Sequence, residues 1–206
     1  MNVEILPSLM SSAHTDPAAL DQRSVIAAAV RQILITLGEN PEREGLRDTP
    51  LRVAKMYEEI FSGMAEDPRD HLRTQFTEDQ HEGIVIVKNI SFHSVCEHHL
   101  VPFYGNAQVA YIPQAGRLTG LSKIARVVET VARRPQLQER LNTQIVNAIW
   151  DVLKPKGVIA VVEAVHMCMV MRGVRSPNSS TITVVARGTL ETDPILRAET
   201  LKLLRE

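Results

Sequence analysis

The chain has 206 residues and a mass of 22.9 kDa, the size of one domain or one domain with an appendage, which excludes a large multidomain machine. Apolar residues at 44% and charged residues at 23% are ordinary for a globular chain that buries a core. With 23 basic against 24 acidic residues the net charge is −1, so there is no general field for nucleic acid or an anionic membrane surface, and uninterrupted apolar stretches such as Val158 to Val162 fall far short of the roughly 20 residues of a membrane helix.

Residues 1 to 16 are polar and aperiodic and read as a flexible tail. They lack the basic start and apolar middle of a secretory signal, so a cytoplasmic location is the expectation. Asp16-Pro17 reads as a cap and first helical residue, and Ile26, Val30, Ile33, Leu34 and Leu37 then recur at helical spacing up to Gly38. A charged linker leads to Thr49-Pro50 and a second helix with an apolar stripe of Val53, Met56, Tyr57, Ile60 and Phe61, closed by Gly63. Arg52 and Lys55 stand on its opposite face. These helices define an N-terminal helical segment over 17–64, followed by a main domain over 65–206.

After a polar stretch from 64 to 82, the β-branched run Ile84 to Val87 and the alternating Gln108 to Ile112 predict strands on either side of HSVCEHHLVPFYG. Two helices follow. Ser122 is placed to cap the first, with Leu121, Ile124, Ala125, Val128, Val131 and Ala132 on its buried side, and Pro135 to start the second, with Leu137, Leu141, Ile145, Ala148, Ile149 and Val152 inward. Val158 to Arg172 reads as one long strand, paired with Thr181 to Ala186 across GVRSPNSS, and Asp193-Pro194 caps a last helix. The order ααββααββα predicts an α+β domain, an antiparallel sheet covered by helices.

The two cysteines, Cys96 and Cys168, both have histidine neighbours. In Cys96-Glu97-His98-His99 a thiol and an imidazole three residues apart share one side of a turn, and His98 points elsewhere. On an extended strand His166, Cys168 and Arg172 would share one face, with Met167, Met169 and Met171 on the other as core packing. Either cysteine alone would more often be a core residue. Two of them among His93, His98, His99 and His166 favour a metal. Cys96, His99 and Cys168 make a Cys₂His set that leaves the fourth tetrahedral position to water, the pattern of catalytic zinc sites.

With these residues in view the sequence closely resembles GTP cyclohydrolase I. The resemblance runs through TPLRVAKMYEEIFSG, SFHSVCEHHLVPFYG, GLSKIARVVE, RRPQLQERL and AVHMCMVMRGV, about three quarters of the chain. It implies a tunnelling fold for the catalytic domain, whose sheet joins those of neighbouring subunits in a barrel, and a homodecamer with active sites at subunit interfaces. It implies conversion of GTP and water to 7,8-dihydroneopterin triphosphate and formate, the opening step of folate and tetrahydropterin biosynthesis. By motif, the Zn2+ ligands fall on Cys96, His99 and Cys168, the catalytic histidines on His98 and His166, and the guanine-reading carboxylate on Glu139. Triphosphate contacts fall on Ser122, Lys123, Arg126 and Arg172, with Arg52 and Lys55 brought into a site built from more than one subunit. His166 is assigned as proton donor to the departing ring nitrogen and His98 as the second acid/base. Another tunnelling-fold pterin or deazapurine enzyme, and a non-catalytic zinc-stabilised oligomer that binds nucleotide, stand as the rivals; formate release separates the second from an enzyme.

Overall fold

The computed structural model describes residues 21–77 and 81–205; the tail 1–16 and the expected cap at Asp16-Pro17 lie outside them. The chain divides into two compact units, one up to Glu58 and one from Glu59 on. In the first, α1 (Gln22–Thr36) begins at Asp21, whose carboxylate accepts the Arg23 backbone N–H, and α2 (Thr49–Ile60) follows the charged linker. Arg23 donates to both carboxylate oxygens of Glu58 at 2.8 and 2.5 Å. The apolar stripe of α1 is present at helical spacing but none of it is buried, and Leu37 just beyond is 78% exposed.

The second unit is built on a five-stranded sheet in the order β5-β2-β3-β6-β7. Its strands are β2 (Val85–Cys96), β3 (Pro102–Ile112), β5 (Pro135–Gln136), β6 (Gly157–His166) and β7 (Thr181–Gly188). All pairs are antiparallel except β5, which lies parallel to the end of β2 with Gln136 opposite Cys96. A two-stranded ribbon of β1 (Gln75–Phe76) and β4 (Leu118–Thr119) stands apart from it. Between β3 and β6 the chain inserts the helix pair α3 (Leu121–Ala132) and α4 (Gln138–Leu153). This antiparallel sheet with its helix pair, preceded by N-terminal helices, is the α+β architecture that the order of elements predicts.

Strand β6 reads as a continuous apolar run because both of its faces are buried. Val158, Ala160 and Val162 pack in the main core with Ile124, Val128, Leu141, Ile145 and Ile149 of the helix pair. Ile159 faces the other way, into a smaller core with Ala110, Leu190 and Leu204, the last two carried by α6 (Thr189–Thr192) and α7 (Pro194–Arg205). Asp193 caps α7 by accepting the backbone N–H groups of Ile195 and Leu196 at 2.9 and 3.0 Å, as expected. In β2 the pairing with β3 shifts between Val87 and Ile90, where Asn89 has φ +55°. This bulge changes parity, so Val85 and Val87 before it and Ile90, Phe92 and Cys96 after it all face the main core. The break is why only Ile84 to Val87 reads as a strand in sequence.

Several expectations are corrected. Helix α3 is capped by Gly120, not Ser122, which lies inside its first turn, and Leu121 is 60% exposed. Pro135 does not start α4: Pro135 and Gln136 are spent on the parallel bridge to β2, and Leu137 is the cap. The polar stretch from 64 to 82 contains ordered turns at Ser62–Ala65 and Pro68–Leu72 as well as β1. Gly63 there is packed so tightly that an added Cβ would come within 2.1 Å of the Thr130 carbonyl oxygen. Most consequential, Val158 to Arg172 is not one strand. Pairing with β3 ends at Phe103, opposite His166, and with no ladder to continue, the chain coils into the helical turn α5 (Met167–Val170). The methionines are therefore not a core stripe, and Met171 is 60% exposed.

Candidate metal centre and active site

Cys96 is the last residue of β2, buried on the helix-covered side. The turn that follows returns at once: the backbone N–H groups of His99 and Leu100 donate to the Cys96 carbonyl at 3.3 and 2.8 Å, and Cys96 N–H donates to the Val101 carbonyl at 2.9 Å. Leu100 takes φ +52° to close it. The turn brings Nδ1 of His99 to 3.8 Å from the Cys96 sulfur, as the three-residue spacing predicts. Cys168 arrives from α5, not from a strand face as the parity reading has it. The ligand atoms of Cys96, His99 and Cys168 lie within 4.8 Å of one another, and the group could hold a metal ion.

The donor set fits such an ion. Both cysteines are free thiols, and burial pushes the Cys168 thiol above its ordinary range, with the neighbouring Cys96 raising it further against the pull of Arg172. A thiol that resists ionising on its own becomes a good ligand once a cation sits beside it, and two thiolates with an imidazole are a borderline-soft set suited to zinc. Arg172 lies at the rim, donating to Nε2 of His99 at 3.2 Å.

His166 closes β6 beside this cluster. Its ring stacks on Phe103 at 4.7 Å with planes 4° apart, and Nε2 lies 2.8 Å from Oε1 of Gln138 at the start of α4. Burial holds the imidazole below its usual pKa range, and the nearby Glu139 carboxylate pulls the other way. His98 is mounted differently, exposed on the turn with Nε2 3.9 Å from Glu97. Glu97 is gripped by Arg140 through both guanidinium nitrogens, and its backbone N–H donates to the Gln136 carbonyl at 3.1 Å. That pair holds the Glu97 carboxyl below its ordinary range.

The fold thus gathers Cys96, His99, Cys168 and Arg172, with His166 and Glu139 linked through α4 and His98 on the shared turn. Ser122, Lys123 and Arg126 lie in the first two turns of α3, Ser122 and Arg126 exposed. Arg52 and Lys55 belong to the first unit, on the exposed side of α2, with Arg52 paired to Asp48 at 3.3 Å. Sequence reasoning passes over Gln138, Arg140 and Glu97. For Gln138 a signal existed: it is three and seven residues from Leu141 and Ile145, so a polar side chain stands on the inner stripe of α4.

The sequence model of GTP cyclohydrolase I matches residues 26–205. The GTP cyclohydrolase 1 of Bacillus pumilus (strain SAFR-032) is 58% identical over 183 residues, covering 89% of this chain and 96% of that protein. That of Bacillus mycoides (strain KBAB4) is 59% identical over 180 residues, covering 87% and 95%. A looser likeness, 19% identical with a TM-score of 0.43, is to the crystal structure of the archaeosine synthase QueF-Like in the apo form, over 51% of this chain and 93% of that one. Similarity of this extent and identity means that the chain belongs to the GTP cyclohydrolase I family of hydrolases.

Proposed function

We propose that the protein hydrolyses GTP to 7,8-dihydroneopterin triphosphate and formate with the help of one zinc ion, in the cytoplasm, as the first step of folate and tetrahydropterin biosynthesis. The observation that carries this reading is the convergence of Cys96, His99 and Cys168 to within 4.8 Å beside His166. Cys96, His99 and Cys168 would hold the metal, which when bound supplies a Lewis acid able to make water a nucleophile near neutral pH.

The remaining work falls to side chains. His166, shielded on one face by Phe103, gives a proton to the imidazole nitrogen of the base as it leaves C8, and His98 serves as the second acid/base in releasing formate. Glu139, next to the His166 anchor, accepts the N1 and 2-amino hydrogens of guanine as a bidentate acceptor. Arg172, Ser122, Lys123 and Arg126 bind the triphosphate, joined by Arg52 and Lys55 of another subunit. A shared site requires an oligomer, and we read it as a homodecamer. Apolar Ile182 and Val184 stand exposed on the sheet-edge strand β7, and α1 buries no residue, which supports assembly. The catalytic domain is taken as 65–206, with 17–64 as its helical appendage and 1–16 as a tail.

Incubating the zinc-loaded protein with GTP and following pterin absorbance with formate in parallel tests the reaction. Equal amounts of both products are expected. Nucleotide binding without formate release would leave a binding protein in place of an enzyme. Mixing inactive Arg52→Ala with inactive His166→Ala subunits under exchange should restore part of the activity if sites are shared, and a fully active monomer would refute the sharing.

A further inference from the structure

Gln138 is 1% exposed, and every polar atom of its carboxamide is engaged. Its Nε2 donates to the Val162 and Thr181 carbonyl oxygens, each at 2.9 Å, and lies 3.4 Å from Thr183 Oγ1. A backbone carbonyl can only accept, so the amide nitrogen must face those two strands. The amide oxygen is left for His166, at 2.8 Å from ring Nε2. An amide oxygen can likewise only accept. The hydrogen in that bond therefore belongs to His166, and the ring carries it on Nε2. The flat stack on Phe103 opposes turning the ring out of this arrangement. Nδ1 of His166 makes no hydrogen bond among the described residues.

We propose that Gln138 is a positioning residue for His166: anchored to β6 and β7, it keeps the ring proton on Nε2 and so makes Nδ1 the nitrogen that exchanges a proton with substrate. This rests on the proposed role of His166 as proton donor. In that step the Nδ1–H of the imidazolium passes its proton to the ring nitrogen leaving C8. An N–H bond forms as the C–N bond breaks, and His166 is left neutral with its hydrogen on Nε2, still bonded to Gln138. The same logic holds a histidine in one tautomer wherever a fixed acceptor grips its second nitrogen, and loss of that acceptor lowers turnover with little change in shape.

The test uses full-length, zinc-loaded protein with ¹⁵N-labelled histidine, as parent, Gln138→Met, Gln138→Glu and His166→Ala. Magic-angle-spinning nitrogen spectra of the sedimented protein assign the His166 ring by its absence from His166→Ala. The parent should show the neutral ring protonated on Nε2 alone. Gln138→Met, similar in volume but without the acceptor, should show both tautomers, with kcat lowered at least about tenfold and the KM for GTP and zinc content unchanged. Gln138→Glu can face the Val162 and Thr181 carbonyls only as the protonated acid, whose O–H donates there while its carbonyl oxygen accepts from His166, and so it should restore the Nε2–H signature and part of kcat. Should Gln138→Met not fold, the parent spectrum and the Glu variant decide. A parent ring protonated on Nδ1, or Gln138→Met at parental kcat, would overturn the proposal. His166→Ala at parental kcat would instead refute the proton-donor role and leave the tautomer assignment to the spectra.

Discussion

At the end of β6, His166 is half-buried, stacked on Phe103 and bonded to an anchored glutamine. In the turn after β2, His98 leaves 62% of its side chain exposed and has Glu97 at 3.9 Å and the His99 ring at 6.3 Å, nearly perpendicular. The chain alone fixes the first histidine, because a strand end, a helix start and an aromatic ring converge on it. The second is placed only by its turn, with most of its side chain open to solvent. Cys96 belongs to the turn region and Cys168 to the region after β6, so the candidate metal group of Cys96, His99 and Cys168 ties the two together.

The largest effect should come from cutting that tie. Cys96→Ala or Cys168→Ala leaves two of three ligands, and zinc and activity should vanish together; stoichiometric zinc after dialysis of Cys168→Ala, by elemental analysis, would break the assignment. Next is base selection beside the His166 anchor. Adenine cannot offer Glu139 the paired donors of guanine, so kcat/KM for ATP should lie about 10⁴–10⁵-fold below that for GTP. Glu139→Ala should lose GTP turnover with zinc in place, and Glu139→Gln should fall between. If Glu139→Ala matches the parent, guanine is read elsewhere.

The histidines sharpen the comparison directly. His166→Ala and His98→Ala should each lower kcat by about 10²–10⁴-fold while keeping zinc and GTP binding. Parental turnover in His98→Ala alone would reduce the turn histidine to a bystander and leave proton transfer to the pre-positioned ring. The smallest effect belongs to Arg140→Ala, which frees the turn carboxylate Glu97. The pair is exposed, so kcat/KM should drop only about two- to fivefold, and less at high salt. A loss as large as that of His98→Ala would show that the turn is held more firmly than its exposure implies.

The legible parts of the sequence were those governed by local spacing. Cys96 and His99 on one side of a turn, the inward stripes of α3 and α4, and the Asp193 cap each need only a few neighbouring residues. What stayed hidden depends on partners far along the chain. Cys168 reaches the cluster through a helical turn because the pairing of β6 with β3 ends at His166, and no periodicity in residues 158–172 records where that pairing stops. The bulge at Asn89 hides most of β2 in the same way, by changing parity inside one strand. Gln138 is legible as a polar residue on the inner stripe of α4, but its partners are not until β6 and β7 present their carbonyls to it. Arg52, Lys55, Lys123 and Arg126 are read as phosphate ligands through the family resemblance, since nothing in their spacing along the chain brings the two pairs together.

The central claim is that Cys96, His99 and Cys168 together bind one zinc ion. X-ray absorption at the zinc edge of the purified protein reads it directly. The expected shell has two sulfurs near about 2.3 Å and one imidazole nitrogen near about 2.0–2.1 Å, with one further light-atom ligand, and His99→Ala should lose the imidazole signature. A shell of light atoms without sulfur, or an unchanged imidazole signature in His99→Ala, would contradict it.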